Sequence, residues 1–250
     1  MSKPIVVINA PAYNADVYFA RLIQQIRENR TNTKTPIVLL NNNYPNGLSY
    51  DLEQPGVQHV HGNPSRHDDM MRAGVNEADH ILVLARDELE QDSDSVSFDL
   101  CYRLKELGLA YRVIVECVDD DNRDRFRRIG VRSVIRPIRS YPEILVRAME
   151  SPGAELVMED MFTRDNDQLV RYPLWLEGDP WRDVVTAMIN ANMGTPLAWV
   201  SKEGKVAVHP AGDERVYAQS IIMMVKSAAV PTDADVKEAF RSYLNHTLSA

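Results

Sequence analysis

The residues best suited to chemistry in this chain are two groups of carboxylates, each placed at the end of an apolar run that predicts a strand. One group follows the run at 80–85, and the other begins inside the run at 112–118 and extends past it. Neighbouring parallel strands end at the same edge of a sheet, so we expect the two groups to lie side by side. Crowded carboxylates repel one another unless a cation neutralises them, and Ca²⁺ takes roughly six to eight oxygen ligands. The carboxylates are those of Asp87, Glu88, Glu90, Asp92, Asp94, Glu116, Asp119, Asp120, Asp121 and Asp124.

The same acids also have a purely structural interpretation, which the sequence leaves open. Asp92 or Asp94 is suitably placed to cap a helix predicted over 95–107, and the acids at 119–121 are suitably placed to cap a helix that begins near 122. Acidic loops with arginines nearby are also common on solvated surfaces. The cation site is therefore a hypothesis that stands beside ordinary helix capping.

The turn at 9–14, after the first apolar run, decides whether a dinucleotide is expected. A Rossmann-type site needs glycine there, because backbone N–H groups must approach the pyrophosphate closely. The turn reads Asn-Ala-Pro-Ala-Tyr-Asn, and asparagines occupy 41–43, where an acid for the ribose is expected. NAD is therefore not expected to bind in the usual mode. Two interpretations stay open for Asn9, Asn14 and Asn41: they form a weaker adenine-nucleotide site, or they are ordinary turn residues.

Charge and hydropathy exclude two classes of partner. The 250-residue chain has a formal net charge of -8 and a pI near 5.3, so it lacks the basic footprint of a nucleic-acid-binding protein. No segment approaches the roughly 20 consecutive apolar residues that span a bilayer, so direct membrane insertion is not expected. These properties favour a cytoplasmic protein.

Nothing in the sequence indicates catalysis. The chain contains no GxSxG, HExxH or P-loop motif. His59 and His61 share one face of a predicted strand, but the further ligands that Zn²⁺ needs are missing. Cys101 and Cys117 lack CxxC spacing and are predicted to be buried free thiols. We therefore expect no enzymatic activity.

The elements that must position these residues follow an alternating pattern. Six short runs of Val, Ile and Leu alternate with amphipathic or polar segments in residues 1–139. Continuous apolar strands that alternate with helices indicate a parallel sheet covered on both faces. We predict an α/β fold whose first part is a Rossmann-like, doubly wound parallel sheet with the strand order 3-2-1-4-5-6.

Three further segments follow the predicted sheet. Residues 140–164 predict two apolar helices separated by a Ser-Pro-Gly break at 151–153, and these helices could cover either their own sheet or a second copy of the chain. A strand–helix–hairpin–strand pattern over 165–230 predicts a small α+β C-terminal lobe. The tail at 231–250 is polar, with weak helical periodicity that predicts a terminal helix.

One stretch, from Gly62 to Ala85, carries a more specific pattern. It reads as strand end, short turn, helix, glycine turn and buried strand, which is one βαβ crossover. It resembles the third repeat of the RCK (TrkA-N-type) domain, the ligand-sensing module of potassium channels and transporters. The family has an Asp after the glycine, where this chain has Asn63. We add Asn63 to the asparagines at 9, 14 and 41 as a candidate for the weaker nucleotide site. The residues in step with the family are Val60, Gly62, Ala73, Gly74, Val75, Ala78, Asp79 and Ile81 to Leu84.

The resemblance implies a cytoplasmic regulatory domain of a prokaryotic potassium channel, held at the inner face of the membrane by a pore that is fused or separate. Such domains pair through the crossover helices and assemble into a ring of eight beneath the pore. Some relatives bind Ca²⁺ through an acid in the loop after strand 4 and acids on strand 5, although Val118 stands where a second strand-5 acid is expected. The predicted metal ligands are Asp92, Asp94, Glu116, Asp119 and Asp120. The predicted dimer interface comprises Tyr141, Ile144, Leu145, Ala148, Met149, Val157, Met158, Met161 and Phe162.

Three other functions remain open at this stage. A separate regulatory subunit of a Trk/Ktr-like potassium transporter would resemble the same family, but such subunits usually keep the glycine-rich turn. A nucleotide-dependent reductase or epimerase would share the fold, yet it needs a nicotinamide site that the turn at 9–14 lacks. A scaffold that binds no ligand and only holds subunits together is the third.

Overall fold

The computed structural model describes residues 2–28, 32–90, 92–137, 149–151, 153, 156–158, 161 and 167–248. The chain divides into two compact units, Met1–Ile144 and Leu145–Ala250. The division falls inside the segment predicted as helical crossover.

The first unit contains the predicted parallel sheet of six strands. Its strand order is β3-β2-β1-β4-β5-β6, and each pair of neighbours is parallel, which confirms the doubly wound topology. The strands are β1 Ile5–Ile8, β2 Ile37–Asn41, β3 Val57–His61, β4 His80–Val83, β5 Val113–Glu116 and β6 Ser133–Ile135.

Helices cover both faces of this sheet because the strands are apolar on both sides. Ile5 and Val7 of β1 face one core, which contains Phe19 of helix α1. Val6 and Ile8 face the other core, which helix α3 helps to close. The described helices of this unit are α1 Ala15–Glu28, α2 His67–Arg72, α3 Asp92–Glu106 and α4 Arg123–Arg128.

Two differences from the sequence predictions affect the site. Helix α3 begins at Asp92 rather than at residue 95, so the acids expected just before the helix lie inside its first turn. Strand β5 ends at Glu116 rather than at 118. Both cysteines are free and buried, as predicted.

The second unit is the predicted α+β lobe with two additional strands. A four-stranded sheet has the order β10-β9-β12-β7, and β8 pairs separately with β11. The sequence of residues 169–181 predicts one strand followed by a Gly-Asp-Pro turn, but two strands, β7 and β8, occur there, and β11 was not predicted. The elements are β7 Asp167–Tyr172, β8 Leu176–Pro180, α5 Trp181–Asn190, β9 Thr195–Val200, β10 Val206–Val208, β11 Arg215–Ala218, β12 Ser220–Lys226 and α6 Asp233–Leu248.

The core of the second unit joins its helices to the central strand β12. Val184 and Met188 of α5 and Val236 of α6 are fully buried against Ile221 and Met223 of β12. The terminal helix predicted in the tail is therefore an integral part of this unit. Within the described residues, none of the helices has both the length and the apolarity that crossing a membrane requires.

Most of the predicted dimer interface lies outside the described residues. Met149 and Val157 are described, and their side chains are 82% and 56% exposed. Met158 and Met161 are partly buried. The predicted positions that the structure does not describe are Tyr141, Ile144, Leu145, Ala148 and Phe162.

Candidate functional site

An open cleft of about 330 Å³ lies at the C-terminal edge of the parallel sheet, where the chain leaves β1 and β4 and enters α3. This is the edge at which doubly wound sheets bind ligands. Its charged lining consists of Arg86, Asp87, Glu90 and Asp92, and Asn43 and Ser93 add polar groups. Ala10, Ala12 and Val96 form its apolar part.

The turn after β1 borders this cleft, and the backbone N–H groups of Asn9 and Ala12 are bonded within the protein. Asn9 adopts a positive φ of 72°, and its side-chain amide donates to the Leu84 carbonyl oxygen at 3.1 Å. The backbone N–H of Ala12 donates to the Arg86 carbonyl oxygen at 2.7 Å. Pro11 has no N–H, so the turn does not present the row of free donors that a pyrophosphate requires.

The four asparagines predicted to line a nucleotide cleft do not form one site. Asn14 has a positive φ of 52° just before α1, which is a helix-entry role. The carbonyl oxygen of the Asn63 side chain accepts from the backbone N–H of Ser65 at 3.0 Å, as in an ordinary Asx turn. Neither of these, nor Asn9 or Asn41, belongs to the cleft lining, in which Asn43 is the asparagine.

Asn41 ends β2 in a buried position. Its side-chain oxygen accepts from the backbone N–H of Asn43 at 3.0 Å and from the His59 ring at 3.2 Å. Because that oxygen can only accept, the Nε2 atom of His59 must carry the proton. Burial lowers the pKa of His59, and the neighbouring His61 lowers it further. Burial thus favours the neutral form of His59 at the edge of the sheet.

Tyr44 stacks edge-on against His59, with the ring centroids 5.4 Å apart. Its hydroxyl donates to the Asp16 carboxylate at 2.6 Å, and burial together with this bond raises the pKa of Tyr44. The loop after β2 is thereby fixed to the start of α1.

Asp94, a predicted metal ligand, has its carboxylate occupied by protein donors. The side chain is 2% exposed and accepts from the backbone N–H groups of Val118 at 2.7 Å and Asp119 at 3.0 Å. The side-chain amide of Asn122 donates to it at 3.0 Å, and the Cys117 thiol lies 3.5 Å away. Asp94 therefore joins the start of α3 to the loop after β5.

Glu116, the predicted strand-5 ligand, is also bound within the protein. Its carboxylate accepts from the backbone N–H of Ala85 at 2.9 Å and from the hydroxyl of Tyr18 at 3.3 Å. These two bonds connect the ends of β4 and β5 to α1. Glu116 is only 6% exposed, so it does not face solvent.

The remaining predicted metal ligands have separate surroundings. Asp119 accepts from the backbone N–H of Asp121 at 3.0 Å and so caps the short 3-10 helix that follows. Asp120 lies 3.5 Å from the Arg123 guanidinium, whereas Asp92 lines the cleft. In the described ranges, no three or more His, Cys, Asp or Glu side chains are grouped so that they could hold a metal ion. Asp94 and Asp119 are in contact, but the carboxylates of the five predicted ligands are not grouped into one metal site, and Ca²⁺ as an effector stays a prediction.

The sequence did not single out the cleft lining as one site. Arg86, Asp87 and Glu90 are visible in the sequence as a charged loop after β4. They lie beside Asn43, which follows β2, only because of the order of the strands. The signal that could have found them is therefore the topology itself, which places the ends of β1, β2 and β4 side by side.

Comparison with known proteins defines the class of this first unit. Residues 20–137 match the TrkA-N domain family, a range that contains five of the six parallel strands and the residues around the cleft from Asn43 onward. This match over residues 20–137 confirms the resemblance of the first unit to RCK (TrkA-N-type) domains.

Three named proteins that resemble this chain are at most 28% identical to it and are longer than it. The probable ion channel POLLUX of rice (Oryza sativa subsp. japonica) is 28% identical over 174 residues, which cover 66% of this chain and 18% of that protein. The human SLO3 gating ring shares the fold with a TM-score of 0.66 at 13% identity, over 95% of this chain and 46% of that one. A structure of the GsuK channel bound to NAD has a TM-score of 0.45 at 14% identity, over 98% of this chain and 39% of that one. The chain thus spans less than half of each of these relatives.

Proposed function

We propose that this chain is a cytoplasmic regulatory module of a potassium channel, which senses a small effector in the cleft of its first unit. The observation that carries the proposal is the TrkA-N domain, whose sheet leaves an open cleft at its ligand-binding edge. The 28% identity to a probable ion channel supports the association with a pore, whether fused or separate. The proposed role is regulatory and not catalytic.

Regulation of this kind has a simple physical requirement. An effector shifts a conformational equilibrium only if it binds one conformation more tightly than the other. The cleft is formed by four segments of chain, which follow β1, follow β2, follow β4 and begin α3. Small relative movements of these segments change the cleft, so a ligand there distinguishes between conformations.

Self-association is the second part of the proposal. We infer that the crossover segment 140–164 joins two copies of the chain and that dimers assemble into a ring beneath the pore. The exposed apolar side chains of Met149, Leu156 and Val157 support this inference, because such residues are usually covered by a partner.

The test is the light-scattering mass of the purified chain over a range of concentrations, with and without millimolar Ca²⁺. A mass of twice 28.4 kDa, or a larger even multiple, agrees with the proposed dimer and ring. Growth of the assembly on addition of Ca²⁺ identifies a cation effector, and indifference to Ca²⁺ directs attention to other ligands. A chain that stays monomeric under all of these conditions contradicts the proposal.

A further inference from the structure

We propose that the cleft takes a small zwitterion of the amino-acid type instead of the nucleotide that the fold leads one to expect. The inference rests on the proposed function, because it names the class of effector that the same cleft would sense. Three observations carry it: the state of the phosphate-binding turn, the charges that line the cleft, and the size of the cleft.

The first observation is that the turn after β1 is unsuited to phosphate. A pyrophosphate is held by several free backbone N–H groups, which a glycine-rich turn presents. Here Pro11 has none, and the N–H of Ala12 is already donated to the Arg86 carbonyl oxygen at 2.7 Å. Asn9 takes the positive φ that glycine usually provides, but its amide is turned to the Leu84 carbonyl oxygen.

The second observation is the charge of the lining. Carboxylates of Asp87, Glu90 and Asp92 line the cleft and oppose a polyanion, and among the described lining residues Arg86 is the one cation. Within the described part of the chain, the side chains of Arg86, Glu90 and Asp92 have no ion pair or hydrogen bond of their own. One free cation and two free anions around one space match a ligand that carries one carboxylate and one ammonium group.

The third observation is size and stiffness. A volume of about 330 Å³ lies at the low end of the roughly 300–1,000 Å³ that ligand pockets have, which suits a small molecule. The loop that carries Arg86 is fixed to α3, because the buried Ser93 hydroxyl donates to the Asp87 carbonyl oxygen at 2.6 Å and accepts the Asp87 N–H at 2.9 Å. The backbone that carries these charged side chains is therefore held in place before a ligand arrives.

These observations assign a role to each part of the lining. The guanidinium of Arg86 binds the ligand's carboxylate, and the carboxylates of Glu90 and Asp92 bind its ammonium group. Ala10 and Val96 leave an apolar surface for the remainder of the molecule.

The experiment measures thermal midpoints and then calorimetric affinities of the whole chain with each standard L-amino acid, with ATP and with NAD. We expect at least one amino acid to bind, and ATP and NAD not to bind. The methyl ester of that amino acid, which lacks the carboxylate, and its 2-hydroxy acid, which lacks the ammonium group, should each bind about tenfold more weakly or worse.

Matched variants locate the binding. Arg86→Gln should weaken the binding of the amino acid about tenfold or more, and so should the double variant Glu90→Gln with Asp92→Asn. The controls Arg127→Gln and Asp124→Asn remove one positive and one negative charge from an exposed ion pair on α4 and should bind like the unaltered chain.

Three results would each overturn the inference: no amino acid binds, binding is unchanged in both cleft variants, or ATP or NAD binds with a dependence on Arg86. None of these results bears on the mass of the assembly. Failure of the zwitterion site is thus distinguishable from failure of the proposed regulatory function.

Discussion

The Asp94 side chain shows how a single buried carboxylate fixes two elements at once. It lies in the first turn of α3, yet its partners are the backbone N–H groups of Val118 and Asp119 and the amide of Asn122, which all follow β5. Hydrogen bonds to a charged acceptor contribute about 1.5–3 kcal/mol each when buried. The carboxylate is therefore saturated by the protein and has little capacity left for a metal ion.

Replacing Asp94 with Asn should lower the free energy of unfolding by about 2–3 kcal/mol. The variant loses the charge, and its amide group places N–H donors opposite the donors of the loop after β5. Urea unfolding followed by circular dichroism measures the change. Amide hydrogen exchange at Val118 and Asp119 should accelerate with it.

The control for this variant is Asp99→Asn on the same helix. Asp99 forms an exposed ion pair with Arg103, which contributes less than about 1 kcal/mol. An Asp94→Asn variant no less stable than this control would show that the buried bonds do not hold α3 to the loop.

His59 gives the first unit a pH dependence with a definite sign. Burial lowers its pKa below the usual 6.5, so the folded chain binds fewer protons than the unfolded chain between the two pKa values. The free energy of unfolding should therefore fall as the pH drops below about 6.5, until the folded-state pKa of His59 is passed. His59→Gln keeps a donor for Asn41 and should flatten this part of the profile. Proton NMR of the His59 ring measures its pKa directly, and a value at or above 6.5 would contradict the prediction.

At the scale of elements, the sequence was informative wherever a strand is apolar on both sides. β1 and β2 consist of consecutive buried residues, β4 alternates between half-buried and buried residues, and their apolar runs predicted all three strands. β11 was missed because its four residues, Arg-Val-Tyr-Ala, alternate between exposed and buried and it pairs only with β8. A short edge ribbon of this kind has no periodicity long enough to recognise.

The candidate site was less predictable for a related reason. An acid near the start of a helix either faces a cleft or binds backbone groups. A difference of one residue in where the helix begins decides between the two. With α3 starting at Asp92, that residue lies at the cleft, whereas Asp94 two positions later is turned inward. Sequence spacing alone does not separate neighbours that lie on different sides of one helical turn.

Gly194 marks a close approach between two elements of the second unit. It lies in the turn between α5 and β9 with a φ of +124°, and a Cβ there would overlap the Met224 carbonyl oxygen of β12. Gly194→Ala should lower the free energy of unfolding of this unit by about 2–4 kcal/mol, because both the backbone conformation and the contact oppose it. Tryptophan fluorescence in urea reports this unit, which contains all three tryptophans, at 175, 181 and 199.

The matched control is Gly212→Ala in the same unit. A Cβ at Gly212 would lie 3.6 Å from the Cβ of Arg182, an ordinary contact, and its φ is not in the left-handed region. This substitution should change the stability by no more than about 0.5 kcal/mol. Equal effects at the two glycines would show that the approach to β12 is not tight.

At the scale of the whole molecule, the proposed assembly depends on the exposed apolar residues near the crossover. Met149→Glu should raise the dissociation constant of the dimer at least about tenfold, equivalent to about 1.4 kcal/mol, because a charge would be buried between subunits. Light scattering during dilution measures this change. Tyr50→Glu is the control, since Tyr50 is 90% exposed on the first unit and far from the crossover in sequence. An unaltered dimer in the Met149 variant would place the interface elsewhere.

The central position of β1 has a consequence for how this chain is made. β1 leaves the ribosome before the other five strands of its sheet, yet it lies between β2 and β4, and the side-chain contact from Asn9 to Leu84 spans 75 residues. At about 5–20 residues per second, synthesis needs roughly 4–15 seconds to supply that partner. Throughout this interval the nascent chain carries a fully apolar strand with one unpaired edge. Co-translational protection of the N-terminal segment should therefore matter most before β4 has emerged.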